Sequence, residues 1–111
     1  LGAACAKADA YDPANHEFVA IDYQADIFLN VWKEGAELRK SGRLLRLAEF
    51  IECPVVAIHG DYDPHPAEGV RAPLRPVLKD FRFILLSSCG HRPWNERQAR
   101  GEFFRVLEEE L

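Results

Sequence analysis

Two apolar runs decide most of what this chain can become. Val55-Val56-Ala57-Ile58 is continuous, rich in β-branched residues and bounded by Pro54 and Gly60. Phe81-Arg82-Phe83-Ile84-Leu85-Leu86 is a second such run. Short runs of this kind read as strands covered on both faces, the pattern of a parallel sheet. Between them lies a stretch of helical character, Glu68 to Leu78, which Pro73 and Pro76 must interrupt or restart. A connection of about twenty residues suits a parallel βαβ unit with the usual right-handed crossover. The expected fold class is therefore α/β, with parallel strands and flanking helices.

The flanks follow a different period. From Asp22 to Lys40 the apolar residues Ile27, Phe28, Val31, Trp32 and Leu38 recur at helical spacing. Asp22 is the expected N-cap and Gly42 the expected stop. A short amphipathic stretch, Leu44 to Ala48, ends before Cys53-Pro54. Upstream, Tyr11-Asp12-Pro13 is a turn signal. A last helix is expected after Asn95, which would cap it, with Gln98 completing a capping box. Its apolar face would be Ala99, Phe103, Phe104, Val106, Leu107 and Leu111. The cations Arg39, Lys40, Arg43 and Arg46 read as a solvated helix end. Glu108, Glu109 and Glu110 sit unfavourably near a helix C-terminus, where fraying is expected.

Composition narrows the function classes. The 111 residues suit one domain at most. With 48% hydrophobic and 29% charged residues, the chain is globular rather than disordered. A net charge of −4 argues against a nucleic-acid or anionic-membrane surface. No apolar run approaches the roughly 20 residues of a membrane helix, and Leu1 to Lys7 has neither the basic start nor the apolar middle of a signal peptide. Cys5, Cys53 and Cys89 are odd in number and widely spaced, with no C-x-x-C pair, which suits a reducing cytoplasm. There is no methionine at all. Leu1 is therefore expected to be an internal residue, exposed by truncation or proteolysis.

The residues that carry chemistry stand just past the two strands. His59-Gly60-Asp61-Tyr62-Asp63-Pro64 follows the first, and Cys89-Gly90-His91-Arg92-Pro93-Trp94 follows the second. In open α/β sheets the functional crevice lies outside the carboxyl ends of the strands. If the strands are neighbours, a carboxylate from one loop can meet an imidazole from the other. Such an acid holds one ring nitrogen protonated and leaves the other free to take a proton. Asp61 and Asp63 are the candidate carboxylates and His91 is the candidate imidazole. Asp61 competes with Asp63 but more readily shapes the turn. His59, Asp61, Asp63 and His65 alternate, which raises a metal-site reading, although Gly60 and Pro64 count against a continued strand. Cys89 lies too near His91 to be its nucleophile and reads as a buried structural thiol. Trp94 reads as a packing residue between the last helix and the sheet.

The string Pro54-Val55-Val56-Ala57-Ile58-His59-Gly60-Asp61-Tyr62-Asp63 resembles the penultimate strand and acid loop of α/β-hydrolases, in which the acid lies three residues after the glycine. Gly90-His91-x-Pro93-x-x-Glu96 resembles the histidine loop of that family. The interval of 28 residues between Asp63 and His91 suits it too, as does the order of acid before histidine. The resemblance covers residues 51–111 as a C-terminal βαβα unit. Residues 1–50 resemble the end of a cap and a connecting helix only loosely. What it implies is a serine hydrolase acting on an ester, thioester or amide of a small-molecule substrate, without a cofactor. The nucleophile elbow Gly-x-Ser-x-Gly is absent, and Ser41, Ser87 and Ser88 are the only serines. Ser87 and Ser88 are too close to His91 along the chain to be activated by it. This chain would thus supply the acid and the histidine but no nucleophile. The alternative is a non-catalytic assembly module or the remnant of a broken gene. With two strands and an open edge, a homo-oligomer or a missing N-terminal half is the expected partner.

Overall fold

The structure, a computed structural model, describes residues 2–16 and 24–111. Helix α1 (Gly2–Ala8) leads into an irregular segment, residues 9–16. Helices α2 (Ala25–Lys40) and α3 (Arg43–Leu47) follow, and a 3-10 turn at Ala48–Phe50 delivers the chain to strand β1 (Val55–Gly60). Helix α4 (Ala67–Leu74) crosses to strand β2 (Phe81–Leu86), a 3-10 turn spans Pro93–Asn95, and α5 (Arg100–Glu110) ends the chain. Among the described residues no helix is long and apolar enough to cross a membrane.

The strands pair in parallel, as the two apolar runs predict, in a two-stranded sheet. Val55 lies opposite Phe81 and Gly60 opposite Leu86, so both strands end level and their loops leave from one edge. On one face Ile58, Ile84 and Leu86 pack with Cys89, Ala99 and Phe103, and Val106 of α5 is also buried. On the other face His59 stacks on Phe83, over which Arg71 of α4 lies 5.8 Å from the ring centre. The arrangement is mixed helix and strand with helices against both faces of a small parallel sheet.

The expectation of full burial on both faces is not met. Leu85 is 52% exposed, and most strand residues are only half-buried. One short helix, kept short by Pro73 and the turn after it, cannot cover the Phe83 face. Helix α2 differs in the same sense. Its stripe of Ile27, Phe28, Val31 and Trp32 forms as the spacing predicts, but each member is exposed and no residue of the helix is buried. The expected N-cap Asp22 lies outside the described residues. At the other end Ser41 closes the helix and Gly42 takes φ 70°, a conformation glycine adopts without strain, so the expected stop is found.

The expected capping box does not form. Helix α5 starts at Arg100, after Ala99, with no side-chain cap. Asn95 instead exchanges hydrogen bonds with the backbone of Asn15, and Gln98 donates to Asp12. Both polar side chains are drawn to the N-terminal segment, leaving the helix end to the backbone bond from Arg100 N–H to Glu96 C=O. Leu111 is almost fully exposed, so the apolar face of α5 ends before it.

Candidate functional site

The loops after β1 and β2 are stitched to each other by main chain. Asp61 N–H donates to Leu86 C=O (2.9 Å), and Tyr62 N–H donates to Cys89 C=O (2.8 Å). Asp61 Oδ1 accepts the Cys89 N–H at 3.1 Å, which gives Asp61 the turn-shaping role expected for it. The approach is so close that a side chain at Gly60 would put Cβ 2.2 Å from the Cys89 carbonyl oxygen. A glycine is required there because backbone occupies the space.

That crossing delivers Asp63 to His91. His91 Nδ1–H donates to Asp63 Oδ2 at 2.7 Å. The second carboxylate oxygen, Oδ1, accepts both the His65 N–H (2.8 Å) and the His65 Nδ1–H (2.8 Å). The Asp63 side chain is only 6% exposed, whereas His91 is 48% and His65 68% exposed. The carboxylate is thus a fixed, shielded anchor between two open imidazoles, whose ring centres are 5.1 Å apart. Burial works to raise the Asp63 pKa, but hydrogen bonds from the His65 backbone and both rings, with the charge on His91, outweigh it and hold the carboxyl below its usual value. With the acid ionised, each Nδ1 is a donor and each Nε2 is the nitrogen left to act.

The alternating metal set His59, Asp61, Asp63 and His65 does not converge. The strand ends at Gly60, Asp61 turns to Cys89, and His59 Nδ1–H donates to the Gly60 carbonyl. His59 Nε2 lies 3.8 Å from Asp63 Oδ2, beyond hydrogen-bond range.

Glu96 is the functional-site residue whose role the sequence did not announce. Its side chain is 1% exposed. Its carboxylate accepts three backbone N–H groups: Tyr11 at 2.8 Å, Asp12 at 2.7 Å and Gly90 at 3.0 Å. His91 N–H adds a bond to the Asp9 carbonyl at 2.6 Å. Segment 9–16 is thereby strapped across the histidine loop, with a single antiparallel bridge from Pro13 to Glu96. A Cβ at Gly90 would meet the Asp9 carbonyl oxygen at 2.1 Å, so this loop too depends on glycine.

Beside the strap lies an open cleft of about 520 Å³. Its lining includes Tyr62 and Arg92, the chain neighbours of Asp63 and His91, together with Ala6, Tyr11 and His16.

Neither imidazole has a serine or cysteine hydrogen-bond partner among the described residues. The Ser41 hydroxyl donates to the Leu38 carbonyl, far along the chain from the site. Cys89 is fully buried, and burial, followed by the charges of Glu96, Asp61 and Asp63, pushes its thiol up to about 11. A thiol so poorly ionised is an inert structural group, as expected for it. Trp94 lies 6.1 Å from Phe103 ring to ring while staying half exposed.

No family model matches this chain, and comparison with curated proteins and with solved structures finds no match either.

Proposed function

We propose that this chain is the C-terminal portion of an α/β-hydrolase fold and supplies the acid and the histidine of a hydrolytic triad. The observation that carries the reading is the 2.7 Å bond from His91 Nδ1–H to a shielded, ionised Asp63, made across two strand-end loops. Asp63 engages Nδ1 and leaves Nε2 as the nitrogen free to react. Nε2 would take the proton of an incoming hydroxyl as general base and return it to the leaving group as general acid. Asp63 remains ionised throughout and stabilises the imidazolium formed in between. The attacking hydroxyl and the oxyanion donors come from chain outside these residues. The substrate class is a small-molecule ester, thioester or amide, and no cofactor is needed for this chemistry.

A serine-directed phosphonate probe tests the reading. The 111-residue chain remains unlabelled. A longer form of the polypeptide that includes an elbow serine labels, and His91→Ala lowers its labelling rate by a factor on the order of 10² or more. Stoichiometric labelling of the 111-residue chain at Ser41, Ser87 or Ser88 would overturn the assignment.

A second reading, a module that works by association, is favoured by the exposed stripe of Ile27, Phe28, Val31 and Trp32. Contiguous exposed apolar surface of this kind marks contact with another polypeptide.

A further inference from the structure

The Asp63 carboxylate is engaged by two imidazoles, and the hydrolytic reading uses only one. One ligand atom each from Asp63, His65 and His91 lies within 4.8 Å of the other two. We infer that these three side chains form a binding site for a divalent transition-metal ion of the Zn²⁺ type.

The donor chemistry selects the ion. Two imidazoles and one carboxylate suit Zn²⁺, Co²⁺, Ni²⁺ or Cu²⁺, whereas Mg²⁺ and Ca²⁺ prefer sets made of oxygen alone. Three protein ligands leave a fourth tetrahedral position open to water. With metal–ligand bonds of about 2.0–2.2 Å, tetrahedral ligand atoms stand roughly 3.4 Å apart. The three groups therefore close on an ion by shifts on the order of an ångström.

The site is also built to allow that closure. Asp63 is held in place by the His65 backbone N–H, which acts as the outer partner that fixes a ligating carboxylate. His65 and His91 are the exposed members, at 68% and 48%, so rotation about their side-chain bonds costs little packing. An ion can enter from solvent along the same open side. Both rings are neutral when they ligate, so binding at Nδ1 moves the ring proton to Nε2 and removes the hydrogen bond to Asp63. The metal-bound form and the hydrogen-bonded acid–histidine pair are then alternatives at one place. The binding claim stands on these three side chains and does not depend on the hydrolase assignment.

The test is a Co²⁺ titration of the chain carrying Cys5→Ser and Cys53→Ser, because both thiols are exposed and would compete for metal. The expected result is one equivalent of Co²⁺ bound with visible d–d absorption, displaced by Zn²⁺ and unaffected by Mg²⁺. His65→Asn and His91→Asn each weaken binding by at least about 10-fold, the loss that even an outer partner of a metal ligand produces. His16→Asn, a surface control, leaves it unchanged. His65 is exposed, so its replacement does not disturb folding, and circular dichroism verifies this. Failure of the parent chain to bind Co²⁺, or unchanged affinity in His65→Asn, would overturn the inference.

Discussion

Replacing Glu96 isolates the strap that holds the histidine loop. Its carboxylate accepts three backbone N–H groups while 1% exposed. In Glu96→Ala all three donors lose their partner. A buried donor left unsatisfied costs about 1–3 kcal/mol. The Gly90 donor is fully buried, while those of Tyr11 and Asp12 are partly covered and can recover water. The sum is then about 3–5 kcal/mol, against a total of about 5–15 kcal/mol for a typical domain. In Glu96→Gln the amide oxygen can keep the two donors now on Oε1, and its NH₂ faces the third, at a cost of about 1–3 kcal/mol. Urea unfolding at one fixed protein concentration gives both values, with the exposed Glu102→Gln as control, expected within about 0.5 kcal/mol of the parent. A Glu96→Ala variant within about 0.5 kcal/mol of the parent would refute the strap as a stabilising device.

Asp63 makes stability pH-dependent with a definite sign. Its folded pKa lies below the usual 3.8, so its stabilisation is complete above that value and is lost as pH falls through the folded pKa. The stability gap between the parent and Asp63→Asn should therefore narrow below about pH 4, and a gap constant with pH would count against the assignment. Thiol titration near pH 8 should find Cys5 and Cys53 reactive and Cys89 silent until denaturant is added, since Cys89 is buried with its pKa raised to about 11. Equal reactivity of all three in the native state would contradict the burial described. In sedimentation equilibrium the chain should associate, through the α2 stripe or the open strand edge. A compact, cooperatively melting monomer at micromolar concentration would show that these surfaces are self-sufficient.

The two strands were legible because their signal is local, and the meeting of Asp63 with His91 was expected from the resemblance of the loops that follow them. An unbroken, β-branched apolar run bounded by Pro54 and Gly60 reads as a short strand. Once two such strands lie side by side, the residues just after them must emerge together. The β1 run extended further than its apolar part, through His59 and Gly60, because pairing with Leu85 and Leu86 continues after hydrophobicity stops. His65 carried a local signal as well. An Asp followed two residues later by a polar residue readily forms a turn closed by the Asp side chain, and this turn brings the ring back to Asp63.

Sequence alone thus determined the two strands, since they follow from residue pattern, while the choice of Asp63 and His91 came from the resemblance of their loops. Only the tertiary structure decided what Glu96, Asn95 and Gln98 do. Read locally, Asn95 and Gln98 are helix-capping residues, yet both turn to a segment about eighty positions upstream. Glu96 turns the same way, to Tyr11 and Asp12. For Glu96 the reason is that the buried Gly90 N–H and the partly covered N–H groups of Tyr11 and Asp12 must find acceptors. A carboxylate trapped between them satisfies three at once, which no feature of the chain near residue 96 could reveal.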